Sequence, residues 1–311
     1  MGALASGPYV LMAVSRLKSI FSSFRRESKI GKAYAAGWFL RRFYYRFIKL
    51  HCDALVGFGP NGLNQPVTVV VPAIEKDLHI LPHCLRSIRE MLQGRLVEVW
   101  VVAPESLPLR NVAAVENCKF VPEDHILPRP AAELKCRGWV LQQFIKFNAG
   151  KFVTTPDYLV VDADTVFLRP QYFFKGNGTV LRYADQYELL YNRSLELVFG
   201  NSRRFPVSFV THHMMFNAER MGKLLKFIED RFGMRWWEAI LKEMDQGHPI
   251  SFSEYELYGH FILSQSDWKG RFYLEYWRGL DRDTSDLGLL AEIREEAAGR
   301  LNSVSFHRHT Q

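Results

Sequence analysis

Two aspartates two residues apart carry the first recognisable chemistry in this sequence. Asp162 and Asp164 follow the apolar run Tyr158-Leu159-Val160-Val161. They therefore stand where a buried strand ends, and open α/β sheets bind ligands outside the carboxyl ends of their strands. At i and i+2 on extended backbone, both carboxylates project to the same side. Two such charges repel unless a hard cation lies beside them, and Mg²⁺ or Mn²⁺ takes oxygen ligands and commonly bridges to a diphosphate. The competing reading is an acidic loop that caps the next element. A D-x-D directly after a buried strand favours the metal.

Further candidates lie downstream. His212 and His213 are adjacent within an apolar stretch, so on extended backbone they face opposite ways. One is expected at an acceptor or a product phosphate, the other as a structural histidine. Ser253-Glu254-Tyr255-Glu256 has the S-x-x-E form of a capping box ahead of Leu257, Phe261 and Ile262. With Ser253 as cap, Glu256 bonds back to it, and Glu254 in the first turn is left to point at a ligand. A carboxylate that takes a proton from an attacking hydroxyl must lie within hydrogen-bond reach of it. Glu254 is the first candidate for that base, and Glu256 is kept beside it because one register shift exchanges their roles.

These groups need a scaffold. VTVVVPA (67–73) is a continuous β-branched run, the mark of a strand buried on both faces. A helix is expected through HILPHCLRSIREML, followed by a second buried strand at VEVWVVAPE (97–105). Strand, helix, strand at this spacing is a βαβ unit and implies a parallel sheet. KCRGWVLQQFIKFNAG (135–150) places Val140, Phe144 and Phe147 on one helical face and is expected to stop at Gly150. GKLLKFIEDRF, WWEAILKEM and residues 287–300 read as further helices, and SVSFHRHTQ as a strand-like tail. The expected fold class is α/β, a mostly parallel Rossmann-like central sheet with helices on both faces.

Composition narrows the function classes. The 311 residues are 48% hydrophobic and 14% aromatic, which suits a packed globule, and no run of about 18 apolar residues suggests a membrane span. The four cysteines (Cys52, Cys84, Cys118, Cys136) are scattered with no C-x-x-C, so neither a structural zinc nor a disulfide framework is expected. The net charge of +7 is carried by the first 60 residues, whose ten Lys/Arg and two acids give +8. The remainder sums to −1, which argues against a nucleic-acid binder, whose basic footprint would lie on the folded domain. Residues 1–56 are expected to form a basic, aromatic-rich helical extension. Its aromatics, from Trp38 to Phe47, interleave with Arg41, Arg42, Arg46 and Lys49. That pattern fits an anionic membrane surface, or else packing of the aromatics on the domain. Residues 57–65 read as a Gly/Pro/Asn linker and 66–311 as the main domain. Thiol usage and the lack of a signal sequence lead to an expected cytoplasmic location, peripheral on the membrane face if the extension binds it.

Two enzyme classes write this D-x-D. Asp162-Ala163-Asp164-Thr165 fits the D-x-D-x-T of haloacid-dehalogenase phosphatases, with Asp162 as nucleophile; in GT-A glycosyltransferases the pair holds the metal on a nucleotide-sugar diphosphate. The phosphatase fold opens with this strand, whereas here about 95 residues of βαβ pattern precede it, and its later acidic loop would have to be Asp281–Asp286 with no apolar strand before it. The transferase reading is preferred; a GT-A-shaped module that binds without turnover is the non-enzymatic alternative. R-G-W-V-L-Q-Q-F-I-K-F (137–147), Y-L-V-V-D-A-D-T-V-F-L-R-P (158–170), V-T-H-H-M-M-F (210–216) and F-S-E-Y-E-L-Y-G (252–259) together resemble a largely uncharacterised bacterial family of GT-A-like glycosyltransferases. The resemblance runs from about residue 66 to the end. It implies a nucleotide-diphospho-sugar transferase fold and dependence on a divalent metal, Mn²⁺ or Mg²⁺, but no particular sugar or acceptor; the acceptor expected for the chain is a hydroxyl of a glycan or lipid-linked molecule. Arg137, Gln143 and Lys146 would reach the nucleotide or its phosphates, with Trp139 either on the base or in the core. Asp77 falls where such proteins contact the nucleoside, or else is a solvated loop acid. A late histidine reaches the metal in many of them, which points to His307 ahead of His309, beside Asp162 and Asp164.

Overall fold

The computed structural model describes residues 64–176, 178–184, 189–200, 208–244, 251–268, 270–275, 277–280, 291–293, 295 and 301–306. The basic extension, His307, His309 and most of the helix expected over 287–300 lie outside the described residues. The apolar runs become the central sheet: β1 (Pro66–Pro72), β2 (Arg95–Ala103), β3 (Lys119–Pro122) and β4 (Asp157–Val161). Short strand β5 (Thr165–Phe167) follows the D-x-D, and β6 (Gly178–Tyr183) comes next. Strand β7 (His213–Asn217) returns to the central sheet. Its strand order is β7-β4-β1-β2-β3, with β7 the one antiparallel member. The expectation of an α/β fold with a mostly parallel sheet is met.

The helices α1 (Leu81–Met91), α2 (Leu107–Val115) and α3 (Gly138–Asn148) connect successive parallel strands. Helix α1 buries Leu81, Cys84, Leu85 and Ile88, a 3–4 spacing that lays one stripe on the sheet. That stripe meets Val69, Val71, Val101, Leu159, Val161 and Met215 in the main core. Helix α4 (Leu189–Phe199) precedes β7. Helix α5 (Ala218–Phe232) starts on Asn217, whose side chain accepts the Arg220 N–H, and ends at Gly233 with φ +66. Helix α6 (Glu254–Ser264) is buried along most of its length.

Gly150 has another reason than a helix stop. A 3₁₀ turn, Ala149–Lys151, carries the chain past it, and a Cβ there would lie 3.0 Å from the Tyr158 ring and 3.3 Å from the Ala218 backbone. The glycine permits close approach of α3's exit to β4 and α5.

Three strands lie later in the chain: β8 (Arg271–Leu274) parallel to β6, β9 (Trp277–Leu280), and β10 (Ser303–Phe306), which runs parallel to β9 and antiparallel to β5. This last pairing brings a late segment of the chain to the D-x-D, because the Phe306 N–H donates to the Asp164 carbonyl at 2.9 Å.

Candidate functional site

Asp162 is the first residue beyond β4, and the edge of the antiparallel β7 lies beside it. His213 pairs with Val161, and the Asp162 N–H donates to the His212 carbonyl at 2.9 Å. His212 has φ +61, in the left-handed region that non-glycine residues enter at some cost and that histidine tolerates better than most. With that turn, its Nδ1 stands 3.2 Å from Asp162 Oδ2. Thr165 closes the turn on the other side, its N–H on the Asp162 carbonyl and its hydroxyl 3.5 Å from Asp164 Oδ1. The buried Cys84 thiol donates to the same Asp162 carbonyl at 3.7 Å.

The ligand atoms of Asp162, Asp164 and His212 all lie within 4.8 Å of one another. Two carboxylates and one imidazole form a donor set that Mn²⁺ accepts readily and Mg²⁺ through its oxygens. The residues present fit the expected metal. The histidine that completes the group among the described residues is His212, which the sequence placed at an acceptor or phosphate.

Behind this group lies a buried charge cluster. The Lys146 ammonium, on α3 and 2% exposed, sits 2.6 Å from Asp162 Oδ1 and 2.7 Å from Glu254 Oε1. It also lies 4.6 Å from the Tyr255 ring centroid. The Tyr255 hydroxyl donates to Asp162 Oδ1 at 3.1 Å. Gln143, one turn before Lys146, turns its NH₂ to both oxygens of Glu254. Burial works against the charge on Asp162, but Lys146 and His212 overcome it and hold the carboxyl well below its ordinary range. Burial pushes the Glu254 carboxyl up in spite of Lys146, and the Lys146 ammonium is raised because its two carboxylates outweigh its own desolvation.

Glu254 does face the site, but with 2% exposure and its oxygens on Lys146 and Gln143 it has the geometry of a counter-ion. A base needs the reacting hydroxyl within about 3 Å. The cap itself is half as expected. Ser253 Oγ accepts the Glu256 N–H at 3.4 Å, while the fully buried Glu256 carboxylate takes the Ser208 hydroxyl at 2.7 Å and lies 3.5 Å from His260 Nε2. Glu256 is a core residue and not a second base.

His213 is also a core residue. It has no exposure, packs edge-on against Phe167 and Phe173 at 5.0 and 5.5 Å, and lies 3.9 Å from Glu275. Burial lowers its pKa to about 4. Fully buried, it is not placed to meet the sugar nucleotide expected of it. Asp77 is buried at 9% exposure, not solvated, and its Oδ2 accepts the Ile74 N–H at 3.0 Å. Burial raises its pKa to about 6, with the fields of Asp164 and Asp162 adding to the rise. Arg137 stands half-buried at the N-cap position of α3, and Trp139 meets Phe252 edge-on at 5.1 Å. Tyr255 escaped the sequence reading because a tyrosine in a helix's first turn looks like packing. His212 was read for a different partner because its left-handed turn has no sequence signal in a His-His pair.

The fold and the site define an α/β protein with a metal-competent acidic cluster at the carboxyl end of a parallel strand. The chain belongs to DUF6492, a family of unknown function, whose pattern matches residues 68–295. No curated protein matches it in sequence. Among solved structures it is similar to glucosyl-3-phosphoglycerate synthase from Mycobacterium tuberculosis in complex with Mn²⁺, UDP and phosphoglyceric acid. That likeness has 16% identity and a TM-score of 0.39, covering 54% of this chain and 66% of that one, just under two thirds of its length. It is also similar to mouse xyloside xylosyltransferase 1 (13%, TM-score 0.42, 79% and 99% covered). A third likeness is to the galactosyltransferase LgtC with donor and acceptor sugar analogues (11%, TM-score 0.43, 78% and 88% covered).

Proposed function

We propose that the chain is a GT-A-like glycosyltransferase that moves a sugar from a nucleoside-diphosphate donor to a hydroxyl of a glycan or lipid-linked acceptor. The observation that supports this reading is the Asp162–Asp164–His212 group at the end of β4. Asp164, with Asp162 and His212, would hold the divalent cation, and the cation's chemistry there is to offset charge building on the departing diphosphate. Asp162 is oriented for this by Lys146, Tyr255 and His212. Asp77, in the 3₁₀ turn Glu75–Asp77 that follows β1, would meet the nucleoside, and Arg137 at the start of α3 its phosphates. His307 follows directly on Phe306, whose N–H is bonded to the Asp164 carbonyl, and is proposed as an additional ligand. Glu254 serves the site through Lys146.

The test is a thermal-shift panel of UDP-, GDP-, CMP- and TDP-sugars with and without Mn²⁺, followed by an assay for hydrolysis of the stabilising donor without acceptor. Metal-dependent stabilisation and turnover are expected. Stabilisation without turnover under any acceptor would leave a binding module. Phosphate release from small phosphoesters with a phosphorylated Asp162 would instead establish the phosphohydrolase.

No helix among the described residues is long and apolar enough to cross a membrane. The location proposed is cytoplasmic, with residues 1–56 docked on an anionic membrane face near the acceptor. Each basic residue at such a surface contributes about 1 kcal/mol. Co-sedimentation with anionic vesicles should be lost on truncation to Gln65 and weakened by salt; equal binding by both chains would refute the docking role.

A further inference from the structure

We infer that Lys146 and Glu254 form a charge regulator for the cation site: Glu254 draws the Lys146 ammonium away from Asp162 and so sets how much negative charge Asp162 presents. This rests on the metal reading above.

The geometry carries it. One ammonium lies between two carboxylates at nearly equal distance, 2.6 Å to Asp162 and 2.7 Å to Glu254, with 2% exposure. Water cannot screen a pair at that depth as it does at the surface. The three groups come from α3, the end of β4 and the start of α6, so each is fixed by its own element. Gln143 holds Glu254 from the other side, and Tyr255 adds a hydrogen bond to the Asp162 oxygen that Lys146 occupies. Asp162 Oδ1 is therefore committed inward, while Oδ2 faces His212 in the metal-competent group. A lysine shared in this way neutralises Asp162 only in part. With Glu254 replaced by a neutral side chain, the ammonium belongs to Asp162 alone, and a divalent cation meets a weaker anion. With Lys146 absent, the site loses a positive charge that opposes the cation. Neither residue touches the cation in this account; both are positioning residues that act through Asp162.

The experiment is a titration of full-length protein with Mn²⁺ alone, read by electron paramagnetic resonance of the free ion. It covers wild type, Glu254→Gln, Lys146→Met and the double variant, with circular dichroism to confirm folding. One unit charge at this range changes affinity by about tenfold. Glu254→Gln should weaken Mn²⁺ binding by about that factor and Lys146→Met should tighten it, with the double variant near wild type. The opposed signs are the signature, since loss of packing would weaken binding in both single variants. The double variant removes both charges together, so it keeps the comparison sound if Lys146→Met folds poorly by leaving Glu254 buried alone. Weakening in both single variants, or a double variant no closer to wild type than they are, overturns the regulator while leaving the metal reading intact. Absence of Mn²⁺ binding by wild type overturns both.

Discussion

Asp162 has three hydrogen-bonding partners: Lys146 on α3, Tyr255 on α6 and His212 just before β7. The Tyr255 contact is a bond to an ionised group, worth about 1.5–3 kcal/mol. Tyr255→Phe should lower stability by an amount in that range and leave the secondary structure unchanged; a melting temperature equal to wild type would show that the bond contributes nothing. Asp77 offers a test by pH. Its folded pKa of about 6 lies above the ordinary aspartate value of 3.8 because burial disfavours its charge. The folded state therefore binds the proton more tightly, and stability from this group is full below pH 3.8 and is lost as pH rises through 6. Asp77→Asn lacks that loss. Its stability relative to wild type should rise by up to roughly 3 kcal/mol between pH 4 and 7 in denaturant titrations. A difference independent of pH would refute the burial argument. Of these residues, the two aspartates were legible because a D-x-D after an apolar run has few meanings. The Lys146–Glu254 contact spans 108 residues and depends on how α3 and α6 pack, which no local pattern encodes.

At the scale of elements, α6 delivers Glu254 and Tyr255 because it can approach the segment before β7 closely. A Cβ at Gly259 would fall 2.4 Å from the Phe209 ring, so only glycine allows the helix to lie where it does. Gly259→Ala should cost about 1–3 kcal/mol through overpacking and shift α6. The same variant should reduce Mn²⁺ affinity, since Tyr255 and Glu254 move with the helix. Unchanged affinity would separate α6 from the site. The sequence signalled this helix through its Ser253 cap but misassigned Glu256, because an S-x-x-E pattern does not reveal that Ser208 competes for the carboxylate. Gly150 was misread for a related reason: a glycine after a helical stretch looks like a stop, and its contact with Tyr158 belongs to the tertiary fold.

For the whole molecule, the reversed edge strand β7 beside β4 decides where chemistry can occur. It sets His212 against Asp162, and β10 returns the chain to Asp164 from the other side. The parallel order of the sheet followed from β-branched runs alternating with helices. The antiparallel return of β7 did not, since V-T-H-H-M-M-F reads equally well in either direction. The central claim is that this convergence binds a divalent cation on which a nucleoside diphosphate is held. It is tested most directly by calorimetric titration of UDP and GDP into wild type and Asp164→Asn, each with and without Mn²⁺. Binding by wild type only when Mn²⁺ is present, lost in Asp164→Asn with the fold intact, is the predicted result. Equal binding by the two proteins, or binding indifferent to Mn²⁺, would contradict the account.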